Sequence, residues 1–307
     1  MNENKHYKAI IIGSGPAGLT AAIYLSRAAI KPLVIAGSKF GGQLMWTNDV
    51  ENYPGFHEGV KGPVLMSNML KQAEKFGTEV VYDNATKVDL TGKVKKVYVG
   101  DVEYTADAVV LSSGASPRML DIPSEQKLIG RGVSTCATCD GAFYKDKIVA
   151  VVGGGDSAAE ESTFITKFAS KVYLVVRKDE MRASKIMQDR VKANDKIEIL
   201  WNTQVQEVLG DQTVTGIKII NNKTDKVKDL DLNGLFLAIG HTPNSEFFKG
   251  SVQTDDAGYV VSGNKTQTSV EGVFVAGELV DHKYKQAVTS AASGCMAALD
   301  LEKYLEN

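Results

Sequence analysis

Short apolar runs recur along the chain, and most of them end on a glycine. Ala9 to Ile12 runs straight into Gly13-x-Gly15-x-x-Gly18, and "LTAAIYLSRAAI" after it is an apolar helical stretch. A second apolar run, "PLVIAG", follows. The same order returns at "KIVAVV", which leads into Gly153-x-Gly155-x-x-Ala158 and the helical stretch that it opens, with "KVYLVVRK" as the next strand. "EYTADAVVLSSGASPR" reads as a strand pair ending at Gly114. "LDLNGLFLAIGHTPN" reads as a strand ending at Gly240, and "SVEGVFVAGELVD" as one ending at Gly277. The polar segment around Asn221–Asp231 reads as hairpins. "KQAVTSAASGCMAALDLEKYLE" reads as a long amphipathic helix, with Cys295 expected as a buried packing residue.

Strands alternating with helices predict an α/β fold. The expectation is two Rossmann-like dinucleotide-binding domains, the second inserted in the first. No low-complexity linker separates them. The crossings fall near Pro117–Arg118 and Pro243–Asn244, so residues 1–117 and 244–307 form one domain and 118–243 the other.

Each glycine has a physical task in a dinucleotide turn. Gly13 permits the tight turn, Gly15 lets a pyrophosphate approach the backbone, and Gly18 lets the helix pack on the strand. Amides at the helix N-terminus then face the phosphates. Gly153, Gly155 and Ala158 repeat the pattern. The ends of the second strands differ: Ile35-Ala36-Gly37 carries no acid, whereas Val176-Arg177-Lys178 offers bases that suit a 2′-phosphate, as in NADP. The simplest chemistry for two dinucleotides is hydride transfer between a nicotinamide and a flavin.

Composition narrows the class. The 307 residues are enough for two cores, and 43% hydrophobic with 23% charged residues describes an ordinary globular protein. A net charge of -2 without a long basic run argues against a nucleic-acid surface. No apolar stretch approaches the roughly 18 residues of a membrane span. The start "MNENKHYKAIIIG" reads as having no signal peptide. Three cysteines do not make a secreted framework, so the expected setting is cytoplasmic. No metal is expected: beyond "CATCDG" there are only Cys295 and His6, His57, His241 and His282, none in a paired ligand spacing.

Cys136 and Cys139 suit a dithiol–disulfide couple, since a two-residue spacer lets the sulfurs meet in a small ring. A helix start nearby favours a thiolate. Asp140 follows directly and can shuttle a proton to or from it.

"GSGPAG", "GGQL", "VENYPG", "GRGVSTCATCDG", "VVGGGDSAAEE", "AIGHTPN" and "YKQAVTSAASGCMAALD" together resemble the low-molecular-weight thioredoxin reductase family, from Tyr7 to about Leu305. The resemblance implies FAD on the first unit, NADPH on the inserted one, a homodimer, and a thioredoxin-like protein as electron acceptor. It also implies that Cys139 lies against the flavin, that Cys136 attacks the partner disulfide, that Asp140 is the acid/base, and that the inserted domain rotates. Carried over position by position, the FAD contacts fall on Gly13, Ser14, Gly15, Pro16, Ala17 and Gly18; on Ala36, Gly37, Gly41, Gly42 and Gln43; and on Asn52, Val88, Gly114, Gly277, Glu278, Lys285, Gln286 and Ala287. The NADPH contacts fall on Gly153, Gly155, Asp156, Ser157, Ala158, Arg177, Lys178 and Arg182.

The chain departs from the family in places. Glu278 stands where Asp is usual, and Trp46 falls in a run that is usually threonine-rich. Val176 and Lys178 occupy positions of a His-Arg-Arg cluster. An FAD-dependent dithiol oxidase, or a reductase fed by a different electron donor, is the alternative; the bases at Arg177, Lys178 and Arg182 argue against the oxidase. A non-enzymatic nucleotide-binding or zinc-binding module is a further rival.

Overall fold

The computed structural model describes residues 5–47 and 49–307. The reading of the N-terminal stretch as free of a signal peptide falls partly on residues 1–4, outside the described residues. The chain divides into two compact units, Met1–Ser116 with Thr242–Asn307, and Pro117–His241.

In the first unit the strands line up as Glu79–Val81, Leu33–Ile35, His6–Ile12, Val102–Leu111, Lys95–Val99 and Lys87–Asp89. Ile10, Ile11, Val109 and Val110 are fully buried, as expected for parallel strands covered on both faces. "EYTADAVVL" is one continuous strand rather than a strand pair. Its first half pairs antiparallel with Lys95–Val99, and its end pairs parallel with Val273–Val275. One strand thereby serves two partners along one edge. Helices Pro16–Arg27 and Ala287–Leu305 pack together through small residues, among them Ala17, Ala21, Ala297 and Ala298. A Cβ on Gly294 would collide with the Ala17 carbonyl, so this approach depends on glycine.

The second unit repeats the plan on a smaller scale. Its parallel sheet runs Val133–Ser134, Gly234–Leu237, Ile148–Val152, Lys171–Val175 and Ile197–Leu200. Helix Asp156–Ile165 follows the glycine turn. An antiparallel sheet of Thr203–Leu209, Gly216–Asn221 and Val227–Asp231 adjoins it through a shared apolar core that includes Val175, Ile217 and Leu235.

At the exit from the first unit, the Asn244 N–H donates to the Gly114 carbonyl at 2.9 Å, and the Asn244 side-chain amide donates to the Ser113 carbonyl at 2.9 Å. Inside the second unit, the Arg118 N–H donates to the Gly240 carbonyl at 2.9 Å. Among the described residues no helix is long and apolar enough to cross a membrane, and no group of three or more His, Cys, Asp or Glu is arranged to hold a metal ion.

Candidate active site

Cys136 and Cys139 form a disulfide with their Cα atoms 5.3 Å apart. The strand Val133–Ser134 delivers the chain to Cys136, which caps the short helix Ala137–Asp140. The Cys139 N–H donates to Cys136 Sγ at 3.2 Å. That bond would stabilise negative charge on Cys136 once the disulfide opens. Ser134 Oγ accepts from the Cys136 N–H at 3.1 Å and also bonds the Asp140 carboxylate. Burial pushes the Asp140 carboxyl above the usual carboxylate range, with the Ser134 hydroxyl opposing the shift. Tyr144 stacks edge-on against Phe236, and burial together with the Asp140 charge pushes its hydroxyl up to about 12. A dithiol, a carboxyl able to hold a proton and a hydroxyl that orients both can perform thiol–disulfide exchange.

The two glycine turns share one construction. A Cβ on Gly13 would collide with the Ser112 carbonyl, and a Cβ on Gly153 with the Ala238 carbonyl. Each turn is thus wedged against the residue that follows the neighbouring parallel strand. The third position differs. A Cβ on Gly18 would strike the Gly13 carbonyl, whereas Ala158 carries its methyl beside Gly153 without conflict. The first helix lies closer to its turn. No side chain caps helix Pro16–Arg27 or helix Asp156–Ile165, and a Cβ on Gly15 or Gly155 would meet nothing within 4 Å. Uncapped helix amides behind an open glycine cradle fit a dinucleotide pyrophosphate.

Around the first turn, Ser14 Oγ donates to the Ala36 carbonyl at 2.7 Å and accepts from the Gly41 N–H at 3.0 Å. The Ser14 side chain therefore ties the Gly41-Gly42 loop to the end of the second strand, which follows on to Gly37. Gln43 Nε2 donates to Glu278 Oε2 at 3.0 Å and to the Ala115 carbonyl at 2.9 Å. Burial pushes Glu278 up to about 7, despite Lys285 nearby; Asp281 adds to the rise, while Gln43 and the Ala115 backbone oppose it. Asn52 Nδ2 donates to Gln286 Oε1 at 3.2 Å, and Gln286 caps the helix that begins at Ala287. The Gly277 N–H donates to Ser293 Oγ at 2.7 Å. Val88 stands apart: its side chain belongs to the core with Ile10 and Val97, on the edge strand Lys87–Asp89, so only its backbone is available to a ligand.

In the second unit, the Arg182 and Ala183 N–H groups both donate to the Gly154 carbonyl. Asp156 Oδ1 accepts from the Ser184 N–H and Oγ, each at 2.8 Å, while its neighbour Ser157 is exposed. These bonds fold segment 182–184 onto the glycine turn and bring Arg182 beside the end of strand Lys171–Val175, where Arg177 and Lys178 emerge. All three bases are exposed, and none of them forms an ion pair within 4 Å of a carboxylate among the described residues, although Lys178 lies close enough to Asp179 to feel its charge. Asp179, between them in sequence, is paired with Lys223 at 2.7 Å. Val176 is buried against Gly154, which accounts for an apolar residue there.

The profile of the family "Pyridine nucleotide-disulphide oxidoreductase" matches residues 7–294. A thioredoxin reductase of Mycolicibacterium smegmatis is 54% identical over 297 residues, covering 96% of each chain. This chain belongs to the thioredoxin reductase family. Two solved members superpose closely over the whole chain. The thioredoxin reductase of Streptococcus pyogenes matches with a TM-score of 0.94 at 40% identity over 99% of both chains. That of Giardia duodenalis gives 0.93 at 43% identity, covering 99% of this chain and all of the other. The family places an α/β fold with two dinucleotide-binding regions on this chain, and its cofactors are FAD and NADPH.

Sequence reasoning missed Ser134, Tyr144 and the Asn222-Lys223 turn as neighbours of thioredoxin reductase chemistry. Only Ser134 carried a local signal, a hydroxyl two residues before a cysteine. Cys295 is a correction. It is partly exposed rather than buried, and it hydrogen-bonds the exposed Tyr24 hydroxyl of the neighbouring helix.

Proposed function

We propose that this chain is an NADPH-dependent thioredoxin-disulfide reductase. The net reaction is NADPH, a proton and oxidised thioredoxin giving NADP⁺ and the thioredoxin dithiol. The observation that carries it is the Cys136–Cys139 disulfide in a chain with two open, uncapped glycine turns. Bound there, NADPH would supply a hydride and FAD would supply the two-electron chemistry that connects it to the disulfide. The first turn, with Gln43, Asn52, Gly114, Glu278, Lys285 and Gln286, would hold FAD. The second, with Asp156, Ser157, Arg177, Lys178 and Arg182, would hold NADPH.

In the reduced enzyme the Cys136 thiolate attacks one sulfur of the substrate disulfide and forms a mixed disulfide. Asp140 gives its proton to the departing thiolate. The Cys139 thiolate then attacks Cys136 Sγ, expels the second substrate sulfur as a thiolate that takes a proton from solvent, and restores the Cys136–Cys139 bond. The hydrogen bond from the Cys139 N–H supports Cys136 as the attacking sulfur.

The enzyme works as a homodimer in the cytoplasm. Tyr24, Val288, Met296 and Leu299 expose apolar surface on the packed helices Pro16–Arg27 and Ala287–Leu305, which supports self-association. A CxxC in a chain of three cysteines fits a reducing compartment. Anaerobic titration of the purified protein with NADPH should bleach the flavin absorbance, and added oxidised thioredoxin should restore it. Bleaching by a small dithiol but not by NADPH, with the absorbance restored by oxygen, would replace this reading with the dithiol oxidase. Sedimentation as a monomer at micromolar concentration would remove the dimer.

A further inference from the structure

Segment 177–182 mixes charges. Arg177, Lys178 and Arg182 share it with Asp179 and Glu180. Left free, Asp179 would compete with an incoming phosphate for the bases on either side. The antiparallel sheet prevents this from outside the nucleotide fold. The turn between strands Gly216–Asn221 and Val227–Asp231 brings Lys223 Nζ to 2.7 Å from Asp179 Oδ2, and that pairing is the main cause holding the Asp179 carboxyl below its ordinary range, with the Lys178 charge a smaller one.

The placement of Lys223 is built in. Asn221 Oδ1 accepts from the Lys223 N–H at 3.0 Å and from the Thr224 N–H at 3.1 Å, which fixes the turn. Asn222 Nδ2 then donates to the Arg177 carbonyl at 3.1 Å, pinning the turn to the segment it serves. The Lys178 carbonyl accepts from the Asn202 N–H at 3.0 Å on the same side.

We infer that Lys223 is a positioning residue for nucleotide specificity: by engaging Asp179 it leaves Arg177, Lys178 and Arg182 free for the 2′-phosphate of NADPH. This rests on the reading above that those bases take that phosphate. The effect is electrostatic and acts on one phosphate, so it should separate NADPH from NADH rather than change binding of the shared nucleotide parts. The pair is exposed, which limits its size and makes it weaken with salt.

The test measures 2′,5′-ADP and 5′-AMP binding to the full-length, FAD-loaded protein by calorimetry at low salt. Wild-type protein should bind 2′,5′-ADP more tightly than 5′-AMP. Lys223→Ala should weaken 2′,5′-ADP about three- to tenfold and leave 5′-AMP unchanged. Lys223→Ala with Asp179→Asn should return to wild-type affinity, since the competitor is gone. Lys226→Ala, which removes a charge from the same turn without touching Asp179, should have no effect. If wild-type protein does not prefer 2′,5′-ADP, the assignment of the bases fails and the inference with it. If the preference stands but Lys223→Ala matches wild type, or Lys226→Ala is equally damaging, the inference alone is overturned. Failure of the double variant to recover, with an unchanged melting temperature, would show that Lys223 acts in some other way and also overturns it.

Discussion

Gln43 Nε2 lies 3.0 Å from Glu278 Oε2 and also donates to the Ala115 carbonyl, so one amide joins three chain segments around the first glycine turn. The glutamate is longer by a methylene than the aspartate usual in the family. Its carboxyl sits among Gln43, Ala115, Asp281 and Lys285, and burial outweighs the favourable charge.

A stability slope with pH follows. Glu278 is raised from 4.5 to about 7, so the folded state favours the protonated acid. Its contribution is fully present below about 4.5 and is lost as pH rises toward about 7. The loss is roughly 1–3 kcal/mol. Glu278→Gln should flatten the melting temperature of FAD-free protein over that interval relative to wild type. Parallel curves for the two proteins would show that Glu278 stays ionised throughout.

Cys136→Ser and Cys139→Ser should each abolish thioredoxin reduction while NADPH still bleaches the flavin. The disulfide then no longer links the two half-reactions. Stopped-flow absorbance for the flavin and a coupled thioredoxin assay separate the steps. Turnover in either variant at the wild-type rate would remove the pair from the reaction.

Asp140→Asn should slow turnover by roughly 10- to 1,000-fold, the range for losing a positioned proton donor. The change is nearly isosteric and keeps an acceptor for Ser134, so FAD content should hold. Because burial raises the Asp140 pKa, the wild-type rate should fall on its alkaline side as this proton is lost, and the variant should lack that limb. Identical pH profiles would return Asp140 to a purely structural place at the helix.

Gly18→Ala should destabilise the first unit by about 1–3 kcal/mol, because the new methyl meets the backbone carbonyl of Gly13 rather than a movable side chain. Ala158→Gly, at the matching place in the second unit, should cost only about 1 kcal/mol from helix propensity and a lost methyl. Thermal unfolding monitored by circular dichroism measures both. Equal shifts would mean that the helix after Gly13 moves away without cost.

The glycine turns and the apolar strands that feed them were legible in the sequence, since both depend on local backbone conformation and on burial that sets hydrophobic runs. "CATCDG" was legible for the same local reason. Tertiary contacts were not. Ser134 bonding Asp140, Tyr144 beside the same acid and Lys223 on Asp179 each depend on where separate segments are brought together. Val88 shows the converse: a position matched to a cofactor contact gives its side chain to the core. The division of Val102–Leu111 between antiparallel and parallel partners also lay beyond a period-2 reading, because the pattern fixes which faces are buried and leaves the choice of neighbour open.

The bond between the Asn244 N–H and the Gly114 carbonyl has a consequence for how the chain is assembled. It closes a loop that contains the entire second unit. The entropy of closing a flexible loop grows with its length, though only by about 0.6 kcal/mol per doubling. Folding of the inserted unit shortens the effective loop to the few residues that enter and leave it. The strand Val273–Val275 and the helix Ala287–Leu305 complete the first sheet and its covering layer, yet they are synthesised after the second unit. Until they arrive, the inner edge of Val102–Leu111 has no partner at its end, so the nascent chain carries an open strand edge while all of the second unit has already been made.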